Sequence, residues 1–162
     1  MPEVLTISNT SPLLYLNLIN RLDLLHQLYG EVVIPPAVAA ELSAGAEQGD
    51  VVPDPSAIPW LRIAPVQSQA LIPALTDLGP GEAEVIGLAL EHPGSRVILD
   101  DQLGRRVAAV NRLTITGTLG VVLKAKQAGL LAGVEPIIAE LRQAGLWLDD
   151  ALVELVLSQA GE

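Results

Sequence analysis

The sequence predicts a three-layer α/β/α fold built on a central, mainly parallel sheet. Three observations predict it. Short β-rich runs alternate with longer stretches of helical periodicity, the pattern of a parallel sheet covered on both faces. The length, 162 residues, suits one domain with a sizeable core. The apolar half of the composition is almost wholly Leu, Val, Ile and Ala, with no Phe, two Trp and two Tyr, so the core is aliphatic. A single domain is expected over residues 1–162, with C-terminal helices at about 133–160 packed on or flanking it.

Val4–Ser8 reads as the first strand. A helix follows to about Tyr29, with Pro12 in its first turn, where a missing N–H costs nothing. Leu13, Leu16, Leu18, Leu22 and Leu25 are close to helical spacing, and Gly30 ends the run. Glu31–Ile34 is a short second strand, and Pro35-Pro36 opens a helix through about Leu42. The stretch 43–58, rich in Gly, Pro, Ala and acid, reads as a surface loop. Trp60–Val66 suits an edge strand and Gln67–Leu75 a short helix. Gly79-Pro80-Gly81 marks a turn before a helix over Glu82–Glu91 and a strand over Arg96–Leu99. Asp101–Asn111, Thr118–Ala128, Glu135–Ala144 and Asp149–Gln159 read as helices, with a strand at Leu113–Thr116. There is no internal repeat and no low-complexity segment.

Charge narrows the function. A net charge of −10 gives no general attraction for phosphate backbones, and the scarcity of aromatics removes stacking platforms, so a passive nucleic-acid binder is disfavoured. A nuclease survives this argument, because carboxylates around a divalent metal make a locally positive site. With no Cys and only His26 and His92, thiolate and His-rich zinc sites are excluded. The N-terminus has no basic segment followed by an apolar one, and charges and prolines interrupt every apolar run, so a cytoplasmic protein is expected.

Ligands of open α/β folds bind at the edge where strands end and helices begin. Asn9 follows the first strand, Asp100 and Asp101 follow "RVIL", and Thr116-Gly117-Thr118 follows the last strand. Helix geometry adds Glu41, on the apolar face of Ala37 and Val38, and Glu82, over Val85, Ile86 and Ala89; Glu84 lies on a more polar side. A carboxylate on a buried stripe is costly unless paired or metal-bound. Each residue also has a purely structural reading. Glu82 can favour a helix N-terminus, Glu41 can sit at a frayed helix end, Asp100 can be an N-cap with Asp101 in the first turn, and Thr116 and Thr118 can serve a turn and a cap. Together, acids aimed at one edge repel, and a hard divalent cation, Mg²⁺ or Mn²⁺, relieves that repulsion.

The ordered set "ISNTSPLLYLNLINRLDLL", "VVIPPAVAAEL", "LGPGEAEVIGLALE", "VILDDQLGRRVA" and "TGTLGVVLKAKQAGLL" resembles the PIN domain, in particular the branch of PIN-like proteins related to VapC-type toxins. The likeness covers nearly the whole chain in order. It implies a ribonuclease that holds Mg²⁺ or Mn²⁺ with three or four acids. Residue by residue, the first acid falls on Asn9, the second on Glu41, the third on Glu82 or, in another register, Glu84, and the last on Asp101 or Asp100. The implied ligands are Asn9, Glu41, Glu82 and Asp101, with Glu41, Glu82, Asp100 and Asp101 catalytic. Thr10, Ser11, Thr116, Thr118 and Arg105 would contact substrate, the four hydroxyls donating to phosphate or to the acids, while Arg106, Arg112, Lys124 and Lys126 flank a groove or simply form a solvated face. A small antitoxin partner and a homodimer are also implied, with Leu119–Leu131 and Leu152–Leu157 as either interface or core.

Asn9 is the departure from the pattern. An amide oxygen can ligate a hard cation but brings no charge and cannot take a proton. Asn9 also has a plain structural role, capping the helix that follows. Its neutrality keeps open a second function, a catalytically weakened PIN-like module that binds a partner. It argues against receiver-like or phosphatase-like chemistry, which needs an acid there to form an acyl phosphate.

Overall fold

The computed structural model describes residues 4–73 and 77–162. Five parallel strands form one sheet: β1 (Thr6–Ser8), β2 (Val32–Ile34), β3 (Leu61–Ile63), β4 (Arg96–Ile98) and β5 (Thr114–Thr116), in the order β3-β2-β1-β4-β5. Helices α1 (Thr10–Leu18), α2 (Asp23–Tyr29), α3 (Pro36–Glu47), α4 (Pro80–Glu91), α5 (Gln102–Val110), α6 (Thr118–Gln127), α7 (Glu135–Gln143) and α8 (Asp150–Gln159) complete the described secondary structure, with 3-10 turns at Pro55–Ala57 and Gln69–Leu71. This is the three-layer α/β/α arrangement expected from the alternation of elements.

β1, β2 and the end of β4 are buried on both faces, which is why β2 and the end of β4 read as unbroken apolar runs, while β1 buries Thr6 and Ser8 beside Ile7. α4 packs on β1 and β4 and against α3 and α5, while α2 and α8 pack against α6. The core is aliphatic, with Ile7, Leu13, Leu25, Ile34, Ile86, Leu88, Ile98 and Leu141 among its fully buried side chains. The apolar stripe of α6 (Leu119, Val121, Val122, Ala125) belongs to that core, whereas Leu152 and Leu155 of α8 are exposed.

Several boundaries differ from the sequence expectation. The long first helix is two helices, because Asn20 adopts a left-handed conformation (φ 58°) that Asn tolerates better than most residues. α3 continues to Glu47 instead of stopping near Leu42. Its end is a Schellman motif: Gly49 (φ 90°) follows the cap, Asp50 N donates to Gly45 O at 2.9 Å and Gly49 N to Ala46 O at 3.1 Å. Gly79-Pro80-Gly81 is not a separate turn, since Pro80 already lies in the first turn of α4. The expected helix at 67–75 is a 3-10 turn, and its last two residues lie outside the described ones.

The strand order reverses beside β1: the chain runs from β1 outward to β2 and β3, then crosses to β4 on the other side. The carboxyl ends of β1 and β4 therefore border a topological switch point, where α/β sheets open a crevice. β1 and β4 are in register with Ser8 opposite Ile98, and Asn9 N donates to Ile98 O at 3.0 Å, so Asn9 and Asp100 emerge side by side.

Candidate active site

Asn9 occupies the N-cap position of α1 but its side chain does not cap. It is 3% exposed, and Nδ2 donates to Glu82 Oε1 at 3.2 Å. Oδ1 is buried without a partner, one of two such side-chain atoms among the described residues. Leaving a buried acceptor unpaired costs about 1–3 kcal/mol, so this oxygen is an anomaly that calls for a reason.

The two residues after Asn9 reach two different acids. Thr10 Oγ1 donates to Glu41 Oε2, and Ser11 Oγ donates to Asp100 Oδ2 at 3.0 Å. The first turn of α1 thus links α3 to the end of β4. Glu41 also accepts from Gly81 N at 3.2 Å in the first turn of α4. A Cβ at position 81 would stand 2.8 Å from both Glu41 carboxylate oxygens, which explains glycine there.

Asp100 is the most enclosed of the carboxylates in its bonding. Besides Ser11, it accepts from Thr118 N at 2.8 Å and Thr118 Oγ1 at 2.6 Å, where α6 begins and negative charge is favoured. Thr118 is fully buried. Arg105 Nη1 donates to Leu99 O at 2.8 Å, next to Asp100. A Cβ on Gly117 would lie 2.9 Å from Asp100 Oδ1 and 3.0 Å from Arg105 Nη1, so glycine leaves the space in which the acid and the guanidinium approach.

The geometry separates the two pairs of neighbouring acids. Glu82 faces Asn9, whereas Glu84 accepts from Ala37 N at 3.1 Å and satisfies a donor in the first turn of α3. Glu41 and Glu84 thereby clasp α3 and α4 to each other's N-termini. Asp101, not Asp100, is the N-cap of α5, accepting from Gly104 N at 2.7 Å. Thr116 Oγ1 lies beside Gly120, and no described hydrogen bond joins it to the acids.

Of the basic residues, Arg105 alone bonds within the corner among the described interactions. Lys126 Nζ donates to Ala160 O at 2.6 Å and to Glu162 at 2.8 Å. Lys124 and Arg96 both stand over the Tyr29 ring, at 4.5 and 4.9 Å, at the opposite edge of the sheet. Burial, and then the Arg96 charge, holds the Lys124 ammonium below its usual range. These contacts pack the two lysines on Tyr29 and on the C-terminal residues.

Among the described residues, no three Asp, Glu or His side chains stand together at metal-ligating distance. Each carboxylate is turned to a donor of the protein instead. The donor chemistry nevertheless fits a hard divalent cation: carboxylate and amide oxygens only, from Asn9, Glu41, Glu82 and Asp100. The orphaned Asn9 oxygen fits as well. Turning the amide over would set that oxygen against the Glu82 carboxylate, a repulsive contact that a cation between them makes favourable. Thr10 and Ser11 bond to the acids, one of the two uses expected of the hydroxyls that follow Asn9.

No curated protein and no solved structure matches the chain. A family model described as a PIN domain, DUF3368, matches residues 5–162. That match spans every element that builds the acid corner, and the chain belongs to the PIN-domain family.

Proposed function

We propose that the protein is a metal-dependent ribonuclease and that Asn9, Glu41, Glu82 and Asp100 form its centre, with Asp101 at the rim. The family is nuclease-like and PIN domains generally use divalent metals. The observation that carries the reading is the meeting of four chain segments at the switch point, tied by Asn9 to Glu82, Thr10 to Glu41 and Ser11 to Asp100.

Mg²⁺ or Mn²⁺, when bound, supplies the charge that activates water and offsets the negative charge built on the phosphodiester. Glu82, Asp100 and the Asn9 amide oxygen would hold it, with Glu41 beside them and Asp101 contributing through water. Asp100, oriented by Ser11 and Thr118, is the group placed to accept a proton from the attacking water; Asn9 cannot. Water adds to phosphorus, the ester P–O bond breaks, and the leaving oxygen takes a proton. Arg105 donates to a non-bridging phosphate oxygen.

The experiment is cleavage of single-stranded RNA by the full chain with Mn²⁺ or Mg²⁺ against a chelator control. Glu82→Gln and Asp100→Asn should each abolish it while circular dichroism stays native. Metal-dependent cleavage that survives both changes overturns the assignment.

A second reading, a non-cleaving binding module, is favoured by one observation: every carboxylate of the corner already has an internal donor and Asn9 adds no charge. Unchanged RNA under excess Mn²⁺ decides for it. A role as the toxin of a toxin–antitoxin pair, with a small antitoxin and a homodimer, draws support from the exposed Trp147, Leu152 and Leu155 around the start of α8. Growth arrest on expression, relieved by Asp100→Asn, tests the toxin role. No described helix is long and apolar enough to cross a membrane, and cytoplasmic action on RNA is part of the same proposal.

A further inference from the structure

A pocket of about 330 Å³ opens between α1 and the end of α3, directly beside the acid corner. It shares Thr10 and Glu41 with that corner, so an occupant touches the acids. Leu14, Tyr15 and Val52 supply apolar wall, and Asp50 stands at the rim. Gly45 brings this rim in: a Cβ there would lie 3.2 Å from Val52 Cγ1 and 3.6 Å from Asp50 Oδ2. The Asp50 carboxylate accepts no hydrogen bond among the described residues and is exposed.

We propose that this pocket is the subsite for one unstacked nucleobase of the RNA strand, with guanine preferred. The proposal rests on the nuclease reading of the adjoining corner. No Lys, Arg or His lines the pocket, while Glu41 and Asp50 do. With no basic side chain to draw in a phosphate and Asp50 to repel one, the part of a strand that fits is its neutral base. Single-stranded RNA is read by splaying bases onto aromatic rings and bonding their Watson–Crick edges. Tyr15 is one of two tyrosines in a chain without Phe, and it lines the one pocket that touches the corner among those described.

Ionised carboxylates accept only, so the base must donate. Guanine presents N1–H and the N2 amino group side by side, matching the two oxygens of Asp50. Adenine and cytosine offer one amino donor each. Uracil sets its single N–H between two carbonyls, which a carboxylate repels. The expected order is guanine above adenine and cytosine, with uracil last. The volume lies at the lower end of ligand pockets, as a single base requires.

The test uses ¹⁵N-labelled full-length protein without metal, titrated with the four free nucleosides, which carry no phosphate. Guanosine should shift the amides of 10–18 and 45–52 selectively. Asp50→Asn should weaken guanosine at least about tenfold, to the level of uridine. Tyr15→Leu, which keeps the wall apolar, should weaken all four nucleosides alike. Shifts elsewhere, no saturation by any nucleoside, or equal response to all four with Asp50→Asn inert overturn the proposal. Pocket amides that broaden with protein concentration alone would overturn it too, by assigning the pocket to a second copy of the chain. Metal-dependent cleavage is measured separately, so an empty pocket on an active nuclease and a filled pocket on an inactive one are distinct results.

Discussion

Asn9→Asp exposes the physics of the acid corner most directly. The change replaces an amide donor 3.2 Å from Glu82 Oε1, 3% exposed, with a second carboxylate. Two unit charges at that separation repel by about 5 kcal/mol at an effective dielectric of about 20. The chain need not bear all of this. Keeping a proton on a carboxyl of ordinary pKa about 4 costs about 4 kcal/mol at pH 7, which caps the penalty. Rotation of the Glu82 side chain lowers it further. The expected loss is therefore about 2–4 kcal/mol at neutral pH, or roughly 4–16 °C in Tm for a domain of this size.

The sign of the pH dependence follows. The introduced carboxyl has its folded pKa raised above its unfolded value, so the variant matches the natural protein most closely below about pH 4. Its deficit then grows as pH rises through the raised value. Mn²⁺ should reverse the deficit, because a ligand of the folded state alone stabilises by RT ln(1 + [L]/Kd) and the charged pair binds more tightly. Urea unfolding followed by circular dichroism, at about pH 4.5 and about pH 7.5 and with chelator or millimolar MnCl₂, measures all four corners of this cycle. Equal stability of the two proteins at neutral pH in chelator would refute the Asn9–Glu82 contact. Equal stabilisation of both by Mn²⁺ would refute a cation shared at position 9.

Other outcomes follow from the same contacts. Glu84→Gln weakens only the bond to Ala37 N, so it should cost about 1 kcal/mol in urea unfolding and leave metal-dependent cleavage intact, unlike Glu82→Gln. Gly81→Ala presses a methyl on the far end of the Glu41 side chain rather than on backbone, so Tm should move by less than about 4 °C while cleavage falls at least about tenfold. Glu162 is held at about 2 by the Lys126 ammonium first and by Val134 N and Glu135 N next. Its folded pKa lies below its unfolded one, so its stabilisation is present above about pH 4.5 and lost as pH falls toward about 2. Acid melts of the natural chain and of Glu162→Gln should therefore converge across that window.

The sheet was legible because buried parallel strands announce themselves as unbroken apolar runs, and Val32-Val33-Ile34 has no competing reading. The edge holding Asn9, Glu41, Glu82 and Asp100 followed from strand ends and helix faces. What stayed hidden depends on single side chains choosing among partners. Asp100 and Asp101 are chemically alike, and only the backbone direction after β4 sends one to Thr118 and the other to Gly104 N. The break at Asn20 was masked because the leucines on either side keep helical spacing across it. The extension of α3 was masked by Gly45, whose small size serves the packing of Val52 rather than a helix stop. Asn9 looked like a cap by residue type, and it does sit at the cap position, but its amide is spent on Glu82.

That pairing bears on how a chain of net charge −10 keeps its acids together at all. Four carboxylates near one sheet edge repel one another, and a donor or a cation relieves that repulsion. Here Glu41 leans on Thr10 and Gly81 N, Asp100 on Ser11 and Thr118, Asp101 on Gly104 N, and Glu82 on Asn9. Donors on the chain thus do in part what a divalent ion would do, and the neutral residue at position 9 both avoids a further charge and supplies the donor on which Glu82 leans. The consequence is a trade. The fold tolerates the metal-free state, and an incoming ion must compete with hydrogen bonds already made. On the proposed nuclease reading, binding should be weaker than at a corner with Asp in that place, and loading would call for side-chain rotation at Glu82 and the Asn9 amide, which α4 and the end of β1 carry.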